Sequence, residues 1–445
     1  MADSPSSTHD GQVLLLPCHE CDLVSEVVIH RDGQWLQCPR CQHPLMRPAQ
    51  NDQLTPALAF TALLLLTLSL LFPYLGFEKN GIERAMTVTD AAYELAIYHH
   101  PALAVIVIAT IIVIPALYLL SVCWIHMSLA SPGRLPGSLF LARWLPRMQP
   151  WMMADVFAIA ALVSLVKIIA MAHIQLLSAF WTFSGFALIL LITVTRMNTI
   201  GLWQRLLGDL QQPAQAQAGD TAQRQGLIGC QWCGQLQPLG QSHRCHHCHS
   251  FLHERHPFSL QRVWALLVTA ILCCFPAHLF PIMITTSLGK TEPSTIIAGV
   301  MLFLRHGDWP IALIIFTASV LVPFGKILAL GWLCIAAHQR QALDMTSQMK
   351  LYRLTEWIGR WSMIDVFVVA IIVALFQMGN ILTVTPGVGG LAFSAVVIFT
   401  MLAAHQFDPR LIWDRQQQLL QDSKQRAEQH PEQRQPPTLE PEKSS

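Results

Sequence analysis

The chain has 445 residues and a formal net charge of +1; 53% of its residues are hydrophobic and 12% are charged, with a mean hydropathy of +0.43. Soluble globular chains carry about 25% charged residues, so a soluble enzyme, a disordered protein and a coiled coil are excluded. The balanced charge supplies no global field for nucleic acid.

Residues 1–14 are polar and read as a disordered N-terminus. No basic stretch followed by an apolar one lies within 1–17, so the sequence predicts no cleavable signal peptide and a cytosolic start. Residues 15–48 carry Cys18-x-x-Cys21 and Cys38-x-x-Cys41. Two such pairs are the knuckles of a zinc ribbon, which close one tetrahedral site with four sulfur donors. In a reducing compartment, paired cysteines mean metal rather than disulfide. A site with four thiolates has no open position, so its role is structural and the metal supplies folding free energy to a module too small for a core. Zinc is the expected ion, and iron in a rubredoxin-like site is the alternative.

Residues 55–205 form the first transmembrane module, with apolar segments at 56–75, 101–127, 152–173 and 177–195. Each approaches the roughly 20 helical residues needed to cross about 30 Å of hydrocarbon, where helix is the economical way to satisfy the backbone. A polar linker, 206–226, leads to a second ribbon at 227–256 with Cys230, Cys233, Cys245 and Cys248. His243, His246, His247 and His249 beside them read as a solvated cluster rather than ligands. The second module, 260–413, has segments at 263–284, 309–337, 361–382 and 386–404. The tail, 414–445, is rich in Gln, Glu, Lys and Pro and reads as disordered.

The expected class is therefore an all-α polytopic membrane protein of two tandem four-helix modules, eight transmembrane helices in all, each module headed by a small four-cysteine zinc ribbon. Arg134, Arg143 and Arg147 in one loop, and Lys350, Arg353 and Arg360 in its counterpart, predict that these loops, both termini and both ribbons face the cytosol. The loops at 76–100 and 285–308 then face the far side. Within them, 88–98 and 295–303 carry apolar residues at helical spacing and are expected on the membrane surface.

The halves repeat. Phe72-Pro73 matches Phe280-Pro281, Pro115 matches Pro323, Trp151-x-x-x-Asp155-Val-Phe157 matches Trp361-x-x-x-Asp365-Val-Phe367, and Phe183-Ser184 matches Phe393-Ser394. Four helices return the chain to its starting side, so the repeats are parallel about an axis along the membrane normal.

A charge at mid-bilayer costs roughly 3 kcal/mol or more, which singles out Lys326 and Asp365. Pro323 frees the carbonyl of Ser319, two turns before Lys326 on the same face. Ser362 shares a face with Asp365, and Thr400 sits in the last segment. A Lys326–Asp365 pair surrounded by Ser319, Ser362 and Thr400 is expected, with Lys326 about 9 Å deeper by helical rise and its side chain snorkelling across the gap. Such a cluster is either a working site or a buried pair that fixes helix register. In the first half, Tyr118 stands where Lys326 would, and Lys167 lies about 18 Å along the helix from Asp155. Asp155 and Lys167 are thus secondary polar positions. Gly289-Lys290-Thr291 is no phosphate loop, because Ile284 occupies the position of its first glycine. No catalytic residues or recognisable enzyme motif appear.

The duplicated ribbon and four helices, Trp361-x-x-x-Asp365-Val-Phe367, Val322-Pro-Phe-Gly-Lys326 and Phe407-Asp-Pro-Arg-Leu-Ile-Trp-Asp414 together resemble the paraquat-inducible protein A family (PqiA/LetA-like), with LetA-like members the nearer comparison. The resemblance spans nearly the whole chain. It implies a multi-pass protein of the bacterial inner membrane with an MCE-domain tunnel protein as partner. It implies phospholipids or similar lipids as cargo between the inner membrane and a periplasm-spanning tunnel, and a functional cluster of Ser319, Lys326, Ser362, Asp365 and Thr400. A non-transporting anchor or gate for the tunnel, and a membrane-embedded enzyme acting on lipid or quinone, are the rival readings. Energy could come from a proton gradient acting on Asp365 or from downhill flow.

Overall fold

The computed structural model describes residues 13–28, 36–46, 53–79, 82–97, 101–168, 173–240, 242–287, 290–307, 309–338, 345–376 and 382–429. Ribbon one is two antiparallel hairpins, β1 (Val13–Pro17) with β2 (Val24–Val28) and β3 (Leu36–Gln37) with β4 (Pro44–Met46), and a Cys-x-x-Cys turn joins the strands of each. The first module follows as α1 (Leu54–Leu71), the hairpin β5 (Leu75–Lys79) and β6 (Ile82–Met86), α2 (Asp90–Ile97) and α3 (Pro101–Ile108). It continues through α4 (Ile114–Ala130), α5 (Ser138–Met148), α6 (Ala154–Ile168), β7 (His173–Leu176) and α7 (Ser178–Arg196), and α8 (Thr199–Leu207) closes it. Ribbon two contributes β8 (Leu227–Gly229) and β9 (Leu236–Pro238). The second module repeats the order: α9 (Ser259–Leu279), β10 (Met283–Ser287), β11 (Lys290–Ser294), α10 (Ile296–His306), α11 (Trp309–Phe316) and α12 (Val322–His338). It ends with α13 (Met345–Trp361), α14 (Ile364–Leu375), β12 (Leu382–Pro386), α15 (Val388–Gln406) and α16 (Arg410–Gln429).

Among the described residues, eight helices are long and apolar enough to cross a membrane, four per module. The first and fourth of each module pack together, α1 on α7 and α9 on α15. The second span is continuous in each half. A π-helical turn, Ala109–Val113 or Thr317–Leu321, joins its two α-helical parts. Pro115 and Pro323 follow these turns at the second residue of α4 and α12. Proline lacks the N–H that would bond the preceding turn, and its ring crowds that turn, so the helix takes up the extra residue as a wider one.

At the end remote from the ribbons, each module builds a three-stranded antiparallel sheet, ordered β6-β5-β7 and β11-β10-β12. The sequence predicted helices at 88–98 and 295–303, which the chain forms as α2 and α10, but it did not predict these strands. Apolar segments expected to run helically to 75, 173, 284 and 382 instead reach the sheets there. The sheet ties the ends of the first and third spans together and pairs backbone groups where the helical ladder stops.

Two boundaries also move. The helix α16 continues through Gln429, so residues 414–429 are helical rather than part of a disordered tail; Gln, Leu, Arg, Lys, Ala and Glu in this stretch are strong helix formers. Residues 430–445 lie outside the described set. The linker is not free: Val24 donates its N–H to Asp220 O at 2.9 Å and accepts from Gly219 N at 2.9 Å, which adds the linker to ribbon one as a further edge.

The ribbons are exchanged between modules. The cysteines of ribbon one share a core with Leu330, Met349, Tyr352 and Phe407 of the second module, and those of ribbon two join the main core, to which the first module gives Ala142 and Leu145 of α5. The two crossings repeat one contact. Arg353 of α13 donates to Cys41 O at 2.6 Å, and Arg143 of α5, its equivalent 210 residues earlier, donates to Cys248 O at 2.9 Å. Flanking cation–π contacts place Arg40 over Trp413 at 4.2 Å and Arg147 over Trp232 at 4.5 Å. The ribbons also touch, with Pro17 lying where a Cβ on Gly229 would stand.

The α15 N-terminus runs against the end of α9, where Gly389 N–H bonds Pro281 O at 3.0 Å and a Cβ at Gly389 would collide with Phe280 O. Gly389→Val should therefore force α15 away from α9 and lower the unfolding temperature of the detergent-solubilised protein by several degrees, an effect on the order of 1–3 kcal/mol. Ala179→Val, at the matching position of the first module, should cost less; equal losses in differential scanning fluorimetry would contradict this close approach.

Candidate functional site

Each ribbon gathers its four thiols in one place: the Sγ atoms of Cys18, Cys21, Cys38 and Cys41, and those of Cys230, Cys233, Cys245 and Cys248, lie within 4.8 Å of one another, all buried. The near pairs are 3.4 Å (Cys18–Cys41), 3.5 Å (Cys21–Cys38), 3.5 Å (Cys230–Cys248) and 3.6 Å (Cys233–Cys245). Thiolates about 2.3 Å from a common tetrahedral centre would stand about 3.8 Å apart, so both quartets fit a metal ion with four sulfur donors. In all four knuckles the residue after the second cysteine, Asp22, Gln42, Gly234 or His249, has φ between 57° and 80°. This left-handed residue turns the chain back so that a backbone N–H can reach the first cysteine's carbonyl. Outside the quartets, His243, His246 and His249 are exposed, and His247 Nε2 faces Gly208 O at 3.1 Å.

The arginine that crosses from α13 to ribbon one also holds Glu20, which His43 Nδ1 meets at 3.0 Å. Burial raises the pKa of Glu20, but the hydrogen bonds from His43 and Arg353 outweigh it and hold the carboxylate below its usual range. Nearby, Arg255 spans Asp22 at 3.3 Å and Asp414 at 2.7 Å. Ribbon one is thus fastened to the second module by charge as well as by packing.

Inside the second module, Ser319 lies in the π-helical turn and Lys326 a turn beyond Pro323, both buried. Ser319 Oγ donates to Asp365 Oδ2, and Lys326 Nζ donates to Ser362 Oγ at 3.5 Å. The expected direct Lys326–Asp365 pair is not among the ion pairs of the described residues; each charge meets a serine instead. The reason is register. Because Ser319 stands opposite Asp365, Lys326 lies seven residues nearer the ribbons, roughly 10 Å along the helix, and not deeper than Asp365 as expected. The third span starts earlier than the apolar segment, at Ser347, which carries Asp365 further into the bundle. Thr400 is fully buried but donates to Val397 O at 3.0 Å within its own helix, so no hydrogen bond joins it to the other four.

Asp155 sits in the first turn of α6, and its partner comes from the other module. Arg360 Nη2 meets Asp155 Oδ2 at 2.9 Å and Oδ1 at 3.1 Å, and reaches Met152 O at 3.2 Å. Phe157 and Phe367 stack edge-on at 5.7 Å beside this bridge. Sequence reasoning did not find Arg360 as a partner, although one signal existed: Arg360 precedes the Trp-x-x-x-Asp motif in the second half, and Pro150 holds the same place in the first. Tyr118, at the place of Lys326, is fully buried and accepts from Gln149 Nε2 at 3.4 Å. Lys167 lies in the last turn of α6 with its side chain outside the described set.

Two tests follow from this geometry. Elemental analysis should give about two metal ions per chain, and Cys41→Ser should remove one ion and reduce folded yield, since the metal carries the ribbon's folding energy. Asp155→Ala and Arg360→Ala should each loosen the contact between modules, with a coupling energy of roughly 0.5–1 kcal/mol in a double-mutant cycle because both groups are partly exposed. A coupling of zero would mean that the bridge does not join the modules.

The profile of the family described as paraquat-inducible protein A matches residues 53–207 and 260–417, one stretch per module. The Escherichia coli K12 intermembrane transport protein PqiA is 36% identical over 402 residues, covering 90% of this chain and 95% of its own length. The lipophilic envelope-spanning tunnel protein A of the same strain is 30% identical over 399 residues, 89% of this chain and 90% of its own, so PqiA and not the LetA-like protein is the nearer of these two. A probable intermembrane transport protein of Haemophilus influenzae is 29% identical over 407 residues, 90% of this chain and 95% of its own. No solved structure matches. With matched blocks in both halves, the chain belongs to the paraquat-inducible protein A family.

Proposed function

We propose that this protein is the inner-membrane component of a system that moves phospholipids or similar lipids between two membranes through an MCE-domain tunnel partner. The relatives' names, intermembrane transport protein and lipophilic envelope-spanning tunnel protein, support transport and a lipophilic cargo. The observation that carries the reading furthest is the pair of links Ser319–Asp365 and Lys326–Ser362. A cation and an anion inside apolar spans, each met by a neutral hydroxyl, are more than helix packing requires.

The working site in this reading is the second module. Ser319 belongs to a wide turn that Pro323 prevents from tightening, and Asp365 to the helix that faces it. A proton arriving on Asp365 removes the charge to which Ser319 donates, and α12 and α14 can then change register together. The ribbons and both termini lie on the cytosolic side in this arrangement, with the three-stranded sheets toward the partner. Zinc fills both four-cysteine sites and has no part in the transport step.

Lys326→Ala and Asp365→Ala should each abolish lipid transport in cells while leaving metal content and complex assembly intact. The double replacement should be about as damaging as either single one, because the groups act as a unit. Asp155→Ala should be milder, since its partner is an arginine at the module interface and no lysine completes a matching cluster. Normal outer-membrane integrity in both single variants would favour an anchor or gate without transport. Chemical turnover of lipid by the purified protein would favour an enzyme.

A further inference from the structure

Between the start of α9, the last turn of α12 and the first turn of α16 lies an open cavity of about 620 Å³, within the size range of small-molecule sites. Its near wall is fixed by the turn that enters α9. Phe258, at φ 58°, brings the chain from ribbon two into the helix. Ser259 Oγ then donates to Gln406 O at 2.6 Å and accepts from Asp408 N at 3.1 Å, and His256 N donates to Asp408 Oδ2 at 3.1 Å. These bonds hold the wall against the turn between α15 and α16.

The lining changes character along the spans. His256, Gln261 and His338 stand at the ribbon end, and about one turn further in Trp264, Ile335 and Cys334 take over. No carboxylate is among the lining residues, and the nearby Asp408 is already bonded to Arg410 at 2.9 Å. Ser259–Leu279 and Ala312–His338 are both long and apolar enough to cross a membrane. Their ribbon-side ends therefore fall where acyl chains give way to headgroups. The first module does not repeat this lining. At the offset of 208 residues that relates Pro115 to Pro323, Pro48 stands for His256, Pro56 for Trp264 and Ala130 for His338.

We propose that this cavity binds one phospholipid of the ribbon-side leaflet, its phosphate held by His256, Gln261 and His338 and an acyl chain lying past Trp264 and Ile335. An imidazole carries an N–H in either protonation state and an amide carries two, so the ribbon end offers donors to phosphate oxygens. Pockets of this kind between spans take lipid headgroups. A free phosphate would meet the same donors but leave the apolar inner half unfilled. A peptide would bring backbone polar groups against Trp264 and Ile335, where unpaired groups are costly. The inference goes beyond the transport reading: Ser319, Lys326, Ser362 and Asp365 do not line the cavity, so the site holds for a transporter and for an anchor alike.

The test places a carboxylate where the phosphate should sit. Native mass spectrometry of the full chain, purified in detergent and supplied with phosphatidylglycerol, should find one retained phospholipid in the wild type. His338→Gln, which keeps an N–H donor, should retain it too. In His338→Glu the lipid-bound fraction should fall roughly tenfold, because like charges meet. Ile335→Trp, a second and uncharged probe that fills the inner half, should lose lipid to a similar degree. Lys326→Ala should keep its lipid. Equal retention in the wild type, His338→Glu and Ile335→Trp would overturn the site. Loss in Lys326→Ala alone would place the retained lipid at the polar cluster and overturn it as well. So would a photo-crosslinker at residue 264 that joins only to protein. Binding of inorganic phosphate without any retained phospholipid would assign the donors to a free anion and reject the lipid.

Discussion

A charged group placed among apolar helices has to be met by the protein, because hydrocarbon offers it nothing. That constraint organises the bundle. Asp155 is met by Arg360 across the module interface, Asp365 by Ser319, and Lys326 by Ser362. The first of these is a full ion pair near the ribbon end, where both groups are partly exposed. The other two are charge-to-hydroxyl contacts between helices of one module. The ion pair joins the two halves, and the charge-to-hydroxyl contacts lie within the second module.

Duplication explains the rest of the architecture. Each half cannot complete itself: its ribbon lies on the other half, and the carbonyl of the ribbon's last cysteine is held by the other half's arginine, Arg143 or Arg353. The thiol quartet of one ribbon is therefore tied to a helix in the opposite module. For ribbon one, that helix, α13, leads through Ser362 into the first turn of α14, which carries Asp365. The departures from symmetry are as informative as the symmetry. Arg360 stands against Pro150 and Lys326 against Tyr118, so both charged departures from the repeat lie in the second module.

Much of this was legible in the residues themselves. Eight apolar segments, two cysteine quartets and a repeat at a near-constant offset specify eight membrane-length helices, two gathered thiol quartets and two modules of one order, because each signal is local: a helix needs its own length of apolar residues, and a knuckle needs its own pair of thiols. Lys326 and Asp365 stood out for the same reason, a charge within an apolar run. The three-stranded sheets were hidden because their strands are short and come from loops distant in sequence; β7 pairs with β5 across nearly the whole module. The early end assigned to the last helix came from weighing polar composition above helix propensity.

What the sequence alone determined was the inventory and its order: spans, ribbons, repeat and the residues that carry charge into the membrane. Only the tertiary structure decided partners. It separated Lys326 from Asp365 and gave each a serine, because helix register depends on where two spans touch and not on where each apolar run begins. It also joined Asp155 to Arg360 and crossed the ribbons. Each of these is a contact between segments far apart in the chain, and the choice among such contacts is made by packing, which no single stretch of sequence contains.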